Sequence, residues 1–353
     1  ALMVFLFDFT SFGAILMLGG PKFSTLETAI FTQTLSMLNL RMAGILSVIQ
    51  MACTLGVTLL YTRLIGKGSV PLMPRLGSEQ ARAPRGMIEK SLVFGLTGLL
   101  GLFLVAPLAA MVARSLWIPG VEGGLSLAFY RELFINRTDA FFYVPPATAA
   151  LNSLTFAALS TLMAVGLGLP LAYNLVKNQK AARWLDGLIM LPLGTSAVTL
   201  GLGFLITFTA APLDVKNFPL LIPIAHSLVG LPFVVRTIQP ALASIPPNLR
   251  NAAASLGASP WRVWKEVEAP FISRAVMVGA IFSFTISLGE FGATSFLARP
   301  ETPTLPVAIY RYLSQPGVLN YGQAMAMATL LMLACAIAIA LLDRIQVSDF
   351  SGR

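Results

Sequence analysis

From Ser91 to Ala113 the chain carries no charged side chain, only apolar and small residues interrupted by one proline. About 20 such residues let an α-helix cross a bilayer. Runs that meet or approach this length recur near 1–19, 43–62, 91–113, 151–176, 185–210, 218–240, 272–296 and 322–343. Lipid offers no partner to backbone N–H and C=O groups, so they must be satisfied within helices or in a closed barrel. The ten-residue alternation of barrel strands is absent. The expected fold is all-α, a polytopic transmembrane helical bundle of about eight spans. Composition agrees, since only 11% of residues are charged against about 25% in soluble domains.

The net charge of +9 comes from Lys and Arg spread singly between apolar runs, which suits membrane topology and not nucleic acid. About two thirds of these basic residues fall in segments 63–90, 177–183 and 236–274 and in the C-terminal tail. The positive-inside bias makes that set cytoplasmic, and a multi-pass protein of the plasma (inner) membrane is expected. The chain opens on ALMVFLF with no basic segment before it, unlike a signal peptide. It reads as a chain that begins inside a helix. Cys53 and Cys335 lie in apolar runs and are expected as small buried core residues without a disulfide. A single His226 excludes a multi-histidine metal site, and no cofactor is expected.

The two ends of the chain resemble each other. Phe12–Phe31 aligns without gaps on Phe291–Tyr310, pairing Phe12 with Phe291, Gly13 with Gly292, Pro21 with Pro300, Thr25 with Thr304 and Ile30 with Ile309. After a two-residue insertion the match continues through Asn39/Asn320, Ala43/Ala324, Met51/Met332 and Arg63/Arg344. Scattered Ala and Leu matches arise by chance between apolar helices, but Phe-Gly, Pro and Thr-Leu in register across a polar loop do not. Residues 1–65 therefore read as the last two helices of a truncated first unit. Residues 66–88, rich in Gly, Pro and basic residues, read as a cytoplasmic linker, and 89–345 as a complete second unit of six helices. Such internal duplication is common in transporters, with the path at the repeat interface.

One polar stretch interrupts the second unit: NAAASLGASPWRVWKEVEAP, Asn251–Pro270. Pro246-Pro247 ends the preceding helix, and Asn248 is expected to cap a short helix running through Leu256. Gly257 supplies a left-handed stop. Ser259-Pro260 starts a second helix, which Pro270 is expected to close. Trp261 and Trp264 share one side of it with Val267 nearby, while Arg262, Lys265, Glu266 and Glu268 decorate the rest. An interfacial helix with its Trp pair at headgroup level is the competing interpretation.

The stretch resembles the EAA loop of permease subunits of ABC importers, whose pattern is Glu-Ala-Ala, three residues, Gly, nine residues, Ile-x-Leu-Pro. Asn251-Ala252-Ala253, Gly257 and Val267-Glu268-Ala269-Pro270 fall at that spacing. The departures are Asn for Glu at 251 and Ala for Leu at 269, so a salt bridge from position 251 is not carried over. The resemblance implies an ATPase-coupling element at about 246–271, with Asn251, Ala252, Ala253, Gly257, Trp261, Trp264, Val267 and Pro270 as its residues. It further implies a cytoplasmic ABC ATPase working as a dimer, and an extracytoplasmic substrate-binding protein. Gly289–Gly292 (Gly-Glu-Phe-Gly) and Thr304–Pro306 (Thr-Leu-Pro) are similar to the ferric-iron and thiamine permeases, with phosphonate importers among their relatives.

Ionisable residues inside spans are costly and point to function by default. Glu290, between Gly289 and Gly292 where helices can approach closely, is the candidate for the translocation path, with a snorkelling interfacial group as the alternative. Its repeat counterpart is Ser11, and Asp8 is the comparable residue of the first unit. His226 is expected to make a helix-packing hydrogen bond. Asp186 is expected at the cytoplasmic interface. No P-loop occurs in the sequence, so the energy source is expected on a separate chain. An ion-coupled secondary transporter would need paired intramembrane acids at corresponding points of both repeats. A membrane-embedded enzyme would need converging Ser/Lys, paired Asp or several His. The residues favour neither.

Overall fold

The computed structural model describes residues 9–19, 21–66, 84, 86–119, 124–135, 145–209, 218 and 220–347. Asp8, the start of the first expected span and most of the 66–88 linker lie outside them. The helices are α1 (Gly13–Leu18), α2 (Leu26–Phe31), α3 (Leu40–Gly66), α4 (Met87–Leu116), α5 (Ala128–Glu132), α6 (Pro146–Lys177), α7 (Gln179–Gly194) and α8 (Ala197–Thr209). They continue as α9 (Leu221–Ala243), α10 (Pro247–Ser255), α11 (Pro260–Val263), α12 (Ala269–Gly289), α13 (Gly292–Leu297), α14 (Leu305–Leu313) and α15 (Val318–Val347). Among the described residues the only strands are β1 (Trp117–Ile118) and β2 (Gly124–Leu125), a short antiparallel pair after α4.

Among the described residues six helices are long and apolar enough to cross a membrane: Leu40–Leu60, Met87–Leu116, Pro146–Lys177, Leu221–Ala243, Pro260–Gly289 and Val318–Leu341. The all-α polytopic bundle holds, but two expected spans are not single rods. The 185–210 run is a helix pair bent by 96° between Pro192 and Ala197. The first helix runs through Pro192 and ends at Gly194, and Ser196 starts the second by accepting the Thr199 N–H at 3.1 Å, as a helix cap does. The 272–296 run breaks at Glu290, which adopts an extended conformation after α12.

The core of the bundle is the mutual packing of α6, α9 and α12, around buried Ala164, Ala172, Val234, Val235, Ile238 and Ile272. Lipid tails are as apolar as Leu, so such packing depends on close approach rather than on the hydrophobic effect. By contrast, α4 is exposed along almost its whole length and leans on α15. The cysteines show the same logic. Neither is bridged, and Cys53 is exposed on α3 rather than buried in the core. An apolar run in a membrane helix is apolar on both faces, so it does not mark which one is inside.

The sequence repeat is repeated in backbone. At the same displacement as the sequence match, α1 falls on α13, and α2 and α14 begin at the equivalent Leu26 and Leu305. The turn that follows takes a left-handed residue in both copies, Leu38 (φ 52°) and Gly317 (φ 125°). The two copies also meet. Phe12 stacks on Phe291 at 5.2 Å, and Phe31 meets Tyr310 edge-on at 6.1 Å. Within each copy the corresponding pairs are alike, with Phe12–Phe31 at 5.3 Å and Phe291–Tyr310 at 5.5 Å. Val198 and Leu202 of α8 close the cluster. There α8 crosses α13 so tightly that a Cβ on Gly201 would come within 2.7 Å of the Ala293 Cα, and one on Gly292 within 2.9 Å of the Ala197 Cβ.

Candidate functional site

The helix α10 opens on Pro247 at its first position, after Pro246. Proline lacks the N–H that a first turn leaves unpaired anyway, so Asn248 lies inside the helix and is not its cap. At the other end the Gly257 N–H bonds the Ala254 carbonyl at 3.0 Å and the Ala258 N–H bonds the Ala253 carbonyl at 3.1 Å. These are the paired bonds of a Schellman stop. The turn requires φ +82° at Gly257, which a Cβ would penalise. Ser259 then caps α11, accepting the Arg262 N–H at 3.4 Å, with Pro260 at the first helical position.

Pro270 does not close this second helix. A π-turn over Trp264–Glu268 joins α11 to α12, with the Ala269 N–H bonding back to the Trp264 carbonyl. The widened turn shifts the ladder by one residue just before the proline whose N–H is missing, and the helix continues to Gly289. The polar stretch is thus a short helix, a left-handed Gly turn and the protruding first turns of a membrane span.

A half-buried ion pair holds the two arms together. Arg250 Nε donates to Glu268 Oε1 at 2.6 Å, and its Nη2 reaches the Leu242 carbonyl at the end of α9 at 3.4 Å. Glu268 is only 2% exposed, a correction to its expected place on the outer face. The Arg262–Glu266 pair, at 3.0 Å, is exposed and contributes little. Outside this brace large apolar groups stand exposed among the charged ones. Leu256 is 89% and Trp261 67% exposed, and Trp261 stacks on Trp264 with ring centroids 4.8 Å apart. Asn251 and Ala252 are exposed beside them, while Ala253, Trp264 and Val267 are half-buried and Pro270 is exposed.

Glu290 lies elsewhere, at the break between α12 and α13, and is buried. Its carboxylate accepts the backbone N–H groups of Ala293 (2.8 Å) and Thr294 (3.0 Å) and the Thr294 hydroxyl (2.7 Å). It therefore satisfies donors that the first turn of α13 leaves free. His226 of α9 completes the network, with Nε2 3.1 Å from Glu290 and 2.6 Å from Thr294 Oγ1, and Nδ1 2.7 Å from Ser287 Oγ. One imidazole thus ties α9 to α12 and α13, as a packing hydrogen bond should. Glu290 is an internal group, not a snorkelling one. Of its glycine neighbours only Gly292 makes a close approach, since a Cβ on Gly289 would meet nothing within 4 Å. Asp186 pairs with Arg236 at 3.1 Å, both partly exposed.

Residues 164–351, more than half of the chain, match the family described as "Binding-protein-dependent transport system inner membrane component". The chain belongs to this family. It is similar to a protein of Salmonella typhimurium named as a 2-aminoethylphosphonate transport system permease, PhnV, with 31% identity covering 66% of this chain and 84% of that one. The molybdenum transport system permease ModB of Mycobacterium tuberculosis is 30% identical over 64% of this chain and 92% of its own. The sulfate transport system permease CysT of Escherichia coli is 30% identical over 71% and 90%. The chain is thus a multi-pass inner-membrane permease of binding-protein-dependent transport, the ABC importer class that the loop spacing indicated.

Two features of this permease escaped sequence reasoning. The Arg250–Glu268 brace joins residues eighteen apart with no fixed periodicity between them, and only the turn at Gly257 brings them together. The second is Glu27, a carboxylate only 1% exposed on α2. Its position opposite Pro306 in the repeat was the available signal, because the first copy keeps an acid where the second cannot.

Proposed function

We propose that α10, Gly257 and α11 form the coupling loop on which a separate cytoplasmic ATPase docks. The permease itself would form the translocation path of an importer fed by an extracytoplasmic binding protein. The observation that carries this is a braced loop with an unbraced apolar surface. Leu256 and Trp261 stand exposed on a polar segment beyond the core of its span, and exposed apolar groups rimmed by charge mark partner surfaces. The concentration of basic residues on the same side supports a cytoplasmic location for it and for the C-terminus.

In this reading residues 1–65 and 89–345 belong to two homologous units, with the Phe12–Phe291 stack between them. Rocking of these halves would open the path to one side or the other. For the cargo, the relatives carry phosphonate, molybdenum and sulfate in their names, and these favour a small polar solute. The ferric-iron or thiamine expectation rests on the Gly-Glu-Phe-Gly and Thr-Leu-Pro resemblance alone.

Co-purification tests the docking surface. Leu256→Asp is expected to lose the ATPase while the permease inserts in normal amount. Undiminished recovery of the ATPase would remove α10–α11 as the docking site.

A further inference from the structure

We propose that Glu27, with Gln50 and Ser47, forms a binding site for a singly charged cation beside the seam between the two repeat copies. The Glu27 carboxylate is 1% exposed, and Gln50 Nε2 of α3 donates to it at 2.8 Å. No Lys, Arg or His pairs with Glu27 among the described residues, and Glu290 adds a second negative charge nearby. His226 and the first turn of α13 compensate Glu290, whereas among the described residues Glu27 has the Gln50 amide but no counter-charge. An ionised carboxylate buried without a counter-charge is costly.

The surroundings supply acceptors rather than a counter-charge. Ser47 and Gln50, three residues apart, share a face of α3, and both are buried. The Gln50 Oε1 and the Ser47 Oγ have no hydrogen-bond partner. With its amide nitrogen donating to Glu27, the Gln50 side chain offers its oxygen as an acceptor. Thr54, a turn further along, spends its hydroxyl on the Gln50 and Met51 carbonyls. One uncompensated negative charge, an amide oxygen and a hydroxyl oxygen together suit an alkali-metal ion or a protonated amine. A divalent ion normally recruits more carboxylates.

The site is built into one copy only. The residues equivalent to Glu27, Ser47, Gln50 and Thr54 are Pro306, Ala328, Leu331 and Cys335. The second copy therefore has the same helices without the polar face. An ion-coupled mechanism would place acids in both copies, so the site adds a cation to the permease without changing its class.

The test uses the full chain purified in lipid nanodiscs at pH 8.5, with thermal unfolding followed at constant ionic strength. NaCl, KCl and methylammonium chloride are compared with N-methyl-D-glucamine chloride, whose cation is too bulky for a buried site. At least one small cation should raise Tm by about 2 °C or more. A response to Na+ or K+ identifies an inorganic ion, and a response to methylammonium alone identifies the ammonium group of a solute. Glu27→Gln should abolish the rise. Ser47→Ala, which deletes only one oxygen, should weaken the apparent affinity several-fold and carries the test if Glu27→Gln does not fold. An equal Tm in all four salts, an undiminished response in Ser47→Ala or Glu27→Gln, or a Tm that follows pH but not cation would overturn the site. Loss of the ATPase in Leu256→Asp is independent of these outcomes, so the site and the coupling loop can fail separately.

Discussion

Phe12 and Phe291 hold the same position in the two copies of the repeat, and their rings stack on each other 5.2 Å apart and 18° from parallel. Equivalent residues touch in this way only near an axis of approximate two-fold symmetry. A double-mutant cycle on Phe12→Ala and Phe291→Ala, read by thermal unfolding, should give a coupling energy of about 1 kcal/mol. Additive effects would mean that the stack holds nothing together.

The loop brace makes a sharper claim. Arg250→Ala leaves the Glu268 carboxylate buried and unpaired, and should loosen the α10–α11 turn by about 2 kcal/mol. Arg262→Ala removes an exposed partner and should change stability by less than about 0.5 kcal/mol. Hydrogen exchange of the 250–268 amides separates the two. Similar protection in both variants would contradict the brace.

Gly257 tests the turn itself. At φ +82°, Gly257→Ala should cost about 1 kcal/mol. Gly257→Pro cannot adopt that φ at all and should abolish transport-coupled ATP hydrolysis while leaving insertion intact. Coupled hydrolysis at the native rate in Gly257→Pro would detach the turn from coupling.

Glu290→Gln keeps the shape but replaces two carboxylate oxygens by one oxygen and an amide. The N–H groups of Ala293 and Thr294 then compete for a single acceptor. Uptake in proteoliposomes should fall and Tm should drop by several degrees, with ATPase co-purification unchanged. A native Tm would show that the start of α13 does not depend on the charge.

Leu38 offers a prediction of opposite sign. It is exposed and left-handed where the second copy uses Gly317. Leu38→Gly should relieve about 1 kcal/mol of backbone strain, offset in part by the entropy that Gly loses on folding. A net fall in Tm would show that the strain is balanced elsewhere.

Much of this architecture could be read from the residues because breakers and caps act locally. Gly257, Ser259-Pro260 and the Phe-Gly repeat behave as their chemistry requires. What was hidden depended on burial. Apolar runs predicted single rods over 185–210 and 272–296, yet the first is interrupted between Gly194 and Ala197 and the second at Glu290, since hydropathy averaged over a span does not register a bend. Glu268 looked like one more surface charge in a charged helix, and Cys53 like a core residue. In a lipid-facing protein neither polarity nor its absence reveals which side of a helix is inside.

The π-turn over Trp264–Glu268 means that Pro260–Gly289 is one unbroken rod of 30 residues, about 45 Å long. Its protruding end carries the stacked tryptophans. Its far end stops at Glu290, one residue short of the ring that meets Phe12. On the proposed coupling role, a tilt imposed at Trp261 would be levered along a single shaft to the Phe12–Phe291 contact, and Pro270, a helix breaker by composition, sits in the shaft without cutting it.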